Sequence, residues 1–277
     1  MNNLLTLLKK TLKGNWQKLA LTFLSLAVFV SLWSLYAAWL HGDWPFEGGL
    51  IALTVPYPRE VLAAFVDSFQ NADVNGITMW GHIYASLKRV LAGFLLALAV
   101  ALPAGLLMGR SSTSHWLGRP IVESFRPIPP LAWIPIFIVV FGLFWGPVGI
   151  VFLGIFFPIL YNVMFGSRSV DPILIDAART LGAKKSDLFL KVVLPFTLPY
   201  LMTGITVGLG IGWMCIVAAE MLGGVGGGVG YYIADRAGSQ DYEYMYAGMV
   251  VIAILGTLTT GVAGLLENRI YKWMGMK

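Results

Sequence analysis

The sequence predicts an all-α, polytopic membrane protein with six transmembrane helices, and three observations lead there. Hydrophobic residues make up 57% of the 277-residue chain, and its mean hydropathy of +0.75 is well above that of soluble domains. Five runs carry no charged residue: 19–40, 90–109, 127–167, 192–219 and 244–266. Lys and Arg are distributed unevenly between the loops that join these runs, as the positive-inside rule requires of a membrane protein.

About 20 apolar residues cross a bilayer, so each run supplies one helix except the third, which is long enough for two crossings folded at GLFWGPVG, residues 142–149. Lipid offers an open chain only the helix as a way to satisfy its backbone. The basic segment 1–18 precedes a first helix over 19–40, which is too long for the apolar core of a cleaved leader and lacks a clear small-residue cleavage site after it. An outer segment, 41–84, is acidic overall, and VPYPREVLAAF within it predicts a short helix along the membrane surface after two prolines. Residues 85–270 hold the other five helices, with a loop over 168–195, and 271–277 form a tail.

With the N-terminus inside, fifteen of the 19 Lys and Arg residues fall on the inner side and only Arg59, Lys88, Arg89 and Arg236 outside. This orientation places both termini in the cytoplasm of a multi-pass inner-membrane protein. Lys88 and Arg89, at the outer start of the second helix, read as side chains snorkelling to headgroups, or as contacts to an anion or an acidic partner. The sequence pI near 9.3 restates the inner-side bias and gives no reason to invoke nucleic acid.

Small residues recur every four positions at Gly93, Ala97, Ala101, Gly105 and Gly109, and again at Gly204, Gly208 and Gly212. Such stripes allow close helix packing, within one chain or between two copies. Pro103 falls inside the second helix, and Pro127, Pro129, Pro130 and Pro135 crowd the third, which favours kinks.

Only 12% of the chain is charged, yet RSVDPILIDAARTLGAKKSDLFLK, 168–191, carries eight charged residues. Asp171-Pro172 is a good helix start, Ile173, Ala177 and Leu181 share a face, and Gly182 suits a stop. A second short helix is expected from about Ser186, apolar at Leu188, Phe189, Val192 and Val193 and ending near Leu194-Pro195. Two short helices joined at a glycine, with an apolar side and a basic rim of Arg179, Lys184 and Lys185, suit a groove on another protein. The alternative is a solvated loop whose charges serve topology.

DAARTLGAKKSDLFLKVVLP resembles the EAA motif of ABC-importer permeases, with Asp176 where Glu is usual, Ala177, Ala178 and Gly182 in register, and Leu194-Pro195 closing the motif. ASLKRVLAGF, FRPIPPLAWIPI, LPFTLPYLMTGI and VAAEML resemble the nitrate/sulfonate/taurine branch, and FRPIPPLAWIPI is similar to taurine permeases. The resemblance covers roughly residues 55–270 and implies a type I importer-permease (MetI-like) fold. It further implies a transmembrane subunit that pairs with a second copy of itself in the lipid bilayer. Two cytoplasmic ATPase subunits would dock on the loop that holds Asp176, Ala177, Ala178, Arg179, Gly182, Lys184, Lys185, Leu188 and Pro195. An extracytoplasmic binding protein would deliver a small oxyanion, taurine or another alkanesulfonate first and nitrate or a related anion next, while alternative cargoes in related branches include thiamine-precursor pyrimidines. No cofactor is then bound by this chain, since ATP and Mg belong to the partner ATPase.

Arg126, Pro129, Pro130, Trp133, Glu220 and Gly223 are candidate pathway or gate residues. Glu220 closes an uncharged run and is costly near lipid, so it reads equally as a gate group or as a structural one. Arg126 either snorkels, bonds a carbonyl freed by the nearby prolines, or meets an anion. GGVGGGVGYY, from Gly223, lacks the G-K-[ST] ending and preceding strand of a phosphate loop and is expected to form a tight turn or partly re-entrant outer gate. His41, His82 and His115 lack ligand spacing, Cys215 stands alone, and no metal or catalytic set emerges. Trp39, Trp44, Trp80 and Trp116 fall near expected interfaces. The competing functional classes are an ATP-independent secondary transporter or channel for a small anion, which would usually show internal repeats and midplane charges, and an intramembrane enzyme.

Overall fold

The computed structural model describes residues 2–42, 54–223 and 226–275, with side chains at residue 16 and, within those segments, from residue 20 onward. Among the described residues every regular element is helical. Five segments are long and apolar enough to cross a membrane: Ala20–Leu40, Met79–Arg110, Pro130–Arg168, Lys185–Gly223 and Tyr242–Trp273. The count is five where six crossings were expected, because the third and fourth fall within the single segment 130–168.

The chain divides into two compact units, Met1–Ser68 with Arg236–Ala247, and Phe69–Asp235 with Gly248–Lys277. In the first, α1 (Asn2–Leu40) extends the expected 19–40 helix toward the N-terminus. The helix expected after the two prolines is α2 (Pro58–Gln70). Pro58 needs no amide partner at the first helical position, and the Glu60 carboxylate accepts the Tyr57 N–H at 2.9 Å, so one free donor at the start is satisfied. Val61 and Ala64 on its buried face pack with Ala247, Trp33 and Tyr246. Trp44 and the rest of 43–53 lie outside the described residues.

The second unit is built around α5 (Ile134–Arg168), flanked by α3 (Met79–Arg110) and α8 (Leu194–Gly223). Both small-residue stripes face α5. A Cβ at Gly93 would lie 2.7 Å from the Val151 side chain, one at Gly105 2.9 Å from the Leu160 carbonyl, and one at Gly204 3.0 Å from the Ile159 Cα. Both stripes therefore serve contacts within the chain, and van der Waals contact replaces the hydrophobic drive that lipid does not supply. α3 continues through Pro103.

The expected fold in the third run is at Gly142, whose φ of 76° is open to glycine at no steric cost. Gly146 consequently lies against Ile138, where a Cβ would sit 3.0 Å from the Ile138 Cα. Ahead of this reversal come α4 (Ser112–Phe125) and a 3₁₀ turn at Pro130–Trp133, so the proline-rich stretch interrupts helix rather than kinking it.

α6 (Pro172–Thr180) is the first loop helix, and α7 (Lys185–Leu188) follows. The second short helix does not end at Leu194-Pro195 as expected. It passes through a π turn, Phe189–Val193, directly into α8. Pro195 has no N–H to give to Lys191, and the wider π register, with Leu194 N–H bonded to the Phe189 carbonyl, absorbs that missing bond at the helix start. α9 (Val229–Gly238) and α10 (Tyr242–Trp273) complete the chain. α10 is tied to α8 by Thr203 and Thr206 hydroxyls donating to Glu267 at 2.6 and 3.1 Å, and by the Trp213 indole donating to Thr259 at 2.8 Å.

Candidate functional site

The charged loop is an anchored helix with one free face. The Asp171 carboxylate accepts the Ile173 N–H at 2.8 Å, and Pro172 opens the first turn. At the other end Gly182, with φ 81°, lets its own N–H reach the Arg179 carbonyl at 2.9 Å and that of Ala183 reach the Ala178 carbonyl at 3.0 Å. Val170, Ile175 and Leu188 are buried in the same core as Val163 and Val193, with Ala178 packed beside them. The opposite face keeps Ile173 72% and Leu181 89% exposed, together with Leu174, Ala177 and Asp176. The exposed Asp176 carboxylate accepts a surface bond from Arg179, at 3.1 Å, and Lys184 and Lys185 are exposed. The Asp187 carboxylate pairs with Lys191 at 2.8 Å and accepts the Lys184 N–H at 3.3 Å.

A second constellation lies at the opposite end of α3 and α8. Arg89 and Glu220 form a buried ion pair at 2.8 Å. The same Arg89 nitrogen donates to the Gly227 carbonyl at 2.7 Å. Ser86 donates to Glu220 at 2.8 Å and accepts the Val229 N–H at 2.8 Å, while the Gly230 N–H donates to Glu220 at 3.0 Å. His82 accepts the Gly228 N–H on Nδ1 at 3.1 Å, so its proton sits on Nε2 and faces Asp73 at 3.1 Å. Burial tends to raise the Asp73 pKa, but the Ile77 amide, the His82 ring and the Asn75 amide outweigh it and leave the carboxyl below its usual range. Every one of these bonds ends on the glycine-rich turn or on the residues that hold it. The arrangement can pin a backbone, and among the described residues no group of His, Cys, Asp and Glu is disposed to hold a metal.

Arg89 thus corrects the snorkelling expectation: its guanidinium is buried against an acidic partner in its own chain, while Lys88 stays exposed with its ammonium 5.3 Å from the Phe144 ring. Gly226, Gly227 and Gly228 all have positive φ, which is how the turn presents its amides; Gly224 and Val225 lie outside the described residues. Gly223 ends α8 beside Ile138.

The other pathway candidates form a separate group. Arg126 is exposed and stacks over Tyr161 at 4.6 Å. Pro129 caps the 3₁₀ turn, while Pro130 and Trp133 line an apolar cavity of about 240 Å³ with Phe125, Phe137 and Phe157. Among the described residues no hydrogen bond or ion pair joins this group to Glu220 or Gly223. The sequence marks neither Asp73 nor Ser86, gives His82 no role, and offers an acidic partner for Arg89 only as an alternative and without naming Glu220, although a signal exists. Positions 82, 86 and 89 continue the buried stripe 93, 97, 101, 105 at helical spacing, and a cation on a buried stripe needs an acid.

Residues 101–272 match the family described as the binding-protein-dependent transport system inner membrane component. A protein named as an ABC transporter permease in Methanocaldococcus jannaschii is 37% identical over 267 residues, 96% of each chain. The taurine transport system permease protein of Escherichia coli is 31% identical over 270 residues, 96% of this chain and 95% of its own. The fold is similar to a chain of the MetNI methionine ABC transporter in an inward-facing conformation, with a TM-score of 0.57 and 24% identity over 69% of this chain and 97% of that one. The α-helical architecture with its apolar spanning segments and the extent of these matches agree: the chain belongs to the family of binding-protein-dependent inner-membrane permease components of ABC transporters.

Proposed function

We propose that this chain is the permease subunit of an importer for a small oxyanion, a taurine-like alkanesulfonate first and nitrate second, driven by partner ATPases that dock on α6. The single observation that carries the docking assignment is the free apolar face of α6, with Ile173 and Leu181 exposed on a helix whose Ile175 is locked into the bundle. A helix fixed on one side and apolar on the other suits insertion into a groove. Asp176, Arg179, Lys184 and Lys185 rim that face, and Gly182 sets the angle at which the chain returns to the bundle. The oxyanion assignment draws on relatives named for taurine, aliphatic sulfonates and nitrate.

In this reading both termini are cytoplasmic, a second copy completes the transmembrane pathway, and two ATPases bind below. An extracytoplasmic binding protein delivers cargo to the opposite face. ATP and Mg stay with the ATPases. Their closure moves α6, and α8, continuous with the loop through the π turn, carries that motion along the bundle. The far end of α8 carries Glu220 and Gly223, which hold the glycine-rich turn as an outer gate. Arg126, Pro129, Pro130 and Trp133 line the inner half of the pathway. Only ligands that contact the two states differently can drive such a change.

The test is ATP hydrolysis by the complex in lipid, with its binding protein and a panel of taurine, other sulfonates and nitrate. Stimulation by one cargo, abolished in Gly182→Pro while the protein remains folded, supports both coupling and substrate class. Flux of a small anion with no ATPase attached would instead favour the ATP-independent transporter or channel.

A further inference from the structure

At the α6 end of the second unit, α3, α4 and α5 enclose a cavity of about 240 Å³ whose polar lining is His115, Arg119, Glu123, Tyr161 and Arg168. The acid in this set is already engaged, since Arg119 Nε donates to Glu123 at 2.7 Å. Arg168 has no acidic partner among the described residues. Its Nη1 lies 3.4 Å from His115 Nε2, and because a guanidinium can only donate, the ring accepts there and carries its proton on Nδ1. That Nδ1 is buried and has no partner among the described residues, in a histidine only 8% exposed. Burial, and then the charges of Arg168 and Arg119, push the His115 pKa down, which keeps the ring neutral and this proton assignment in force near pH 7.

Two guanidinium groups and a phenol around one cavity, whose single carboxylate is already paired with Arg119, form a donor set short of acceptors. Guanidinium forks match the oxygen geometry of phosphate-like groups, so the set is complementary to a tetrahedral anion. α4 also shows what surface the cavity adjoins: its outer face keeps Trp116 71%, Leu117 70% and Ile121 63% exposed. Basic pockets between helices at such an apolar surface suit lipid headgroups as well as free anions.

We propose that this cavity binds an oxyanion group of phosphate or sulfonate type at the root of the α6 loop. The group comes either from an anionic lipid headgroup or from a soluble oxyanion, including cargo released on the inner side. Arg168 ends α5, and Asp171 caps α6 three positions later, so an anion held by Arg168 fixes the point from which the loop helix hangs. The binding itself does not depend on the importer reading; its effect on ATP turnover does.

The purified chain in neutral detergent provides the test. Native mass spectrometry compares retention of phosphatidylglycerol with phosphatidylcholine, and saturation-transfer NMR of the methanesulfonate methyl group reports a soluble anion. Arg168→Gln and Arg119→Gln are each expected to weaken binding about tenfold. Glu123→Gln is expected to tighten it, an opposite sign that a merely structural role for the pocket would not produce. Arg119 and Glu123 are half exposed, so their variants fold even where Arg168→Gln does not. Preferential retention of phosphatidylglycerol identifies the lipid source, and a methanesulfonate signal lost in the arginine variants identifies the soluble one. The proposal is overturned if neither probe binds, or if all three substitutions leave binding unchanged.

Discussion

Arg89 and Glu220 stand 131 positions apart in sequence and meet at 2.8 Å in a pair almost closed to solvent. Removing either charge leaves the other buried and unpaired, which costs about 3–5 kcal/mol. Glu220→Ala and Arg89→Ala are therefore expected to lower the detergent melting temperature markedly. An apolar double replacement, Arg89→Met with Glu220→Leu, recovers only part of the loss, because the Gly227 carbonyl and the Gly230 N–H stay orphaned. Full recovery in a double-mutant cycle would show that the pair does not hold the turn.

The turn itself is tested at Gly228. Its φ of 135° is hostile to L-residues, and a Cβ there would meet the Glu220 carboxylate. Gly228→Ala should cost on the order of 1–3 kcal/mol in backbone strain alone and release the segment after Gly223 to limited proteolysis. The contrast is Gly210→Ala, where nothing lies within 4 Å of the added methyl and φ is ordinary, so melting should be unchanged.

These two positions show how much was legible in the sequence. The all-helical class and the reversal at Gly142 follow from run lengths and breaker residues, which are local signals. The loop helix was equally readable because capping at Asp171 and termination at Gly182 are local chemistry. Its continuation through a π turn into α8 was not, since proline ordinarily reads as a stop and only the helix-start context converts it into a register change. Glu220 was flagged by desolvation cost alone. An acidic partner for Arg89 is readable only as an alternative, because pairing it with Glu220 needs the contact between α3 and α8, and periodicity on one helix does not name a residue on another.

The free face of α6 lets the proposed docking be tested apart from folding. Ile173→Asp and Leu181→Asp add charge where the side chains are exposed, so melting should change by no more than about 0.5 kcal/mol. Co-purification of the ATPase should fall at least tenfold. Ile175→Asp buries an unpaired charge in the core and should destabilise the chain itself, by several kcal/mol. Normal ATPase recovery with both surface variants would refute docking on this face.

Acid sensitivity should appear at Asp73. Its carboxylate accepts the Ile77 N–H at 2.8 Å and the Asn75 N–H at 2.9 Å and faces His82, and these partners lower its pKa against the opposing effect of burial. A carboxyl whose folded pKa is depressed contributes stability that is fully present above its unfolded value, here 3.8, and is lost as pH falls through the lower folded value. Asp73→Asn keeps the shape and one acceptor but loses the charge, so it should melt below wild type at pH 7. The gap should narrow only below about pH 4, as the wild-type carboxyl takes up its proton. Melting curves of both proteins in detergent at pH 7, 5 and 3 decide it: a gap that closes already between pH 7 and 5 would assign the titration to another group, His82 being the nearest.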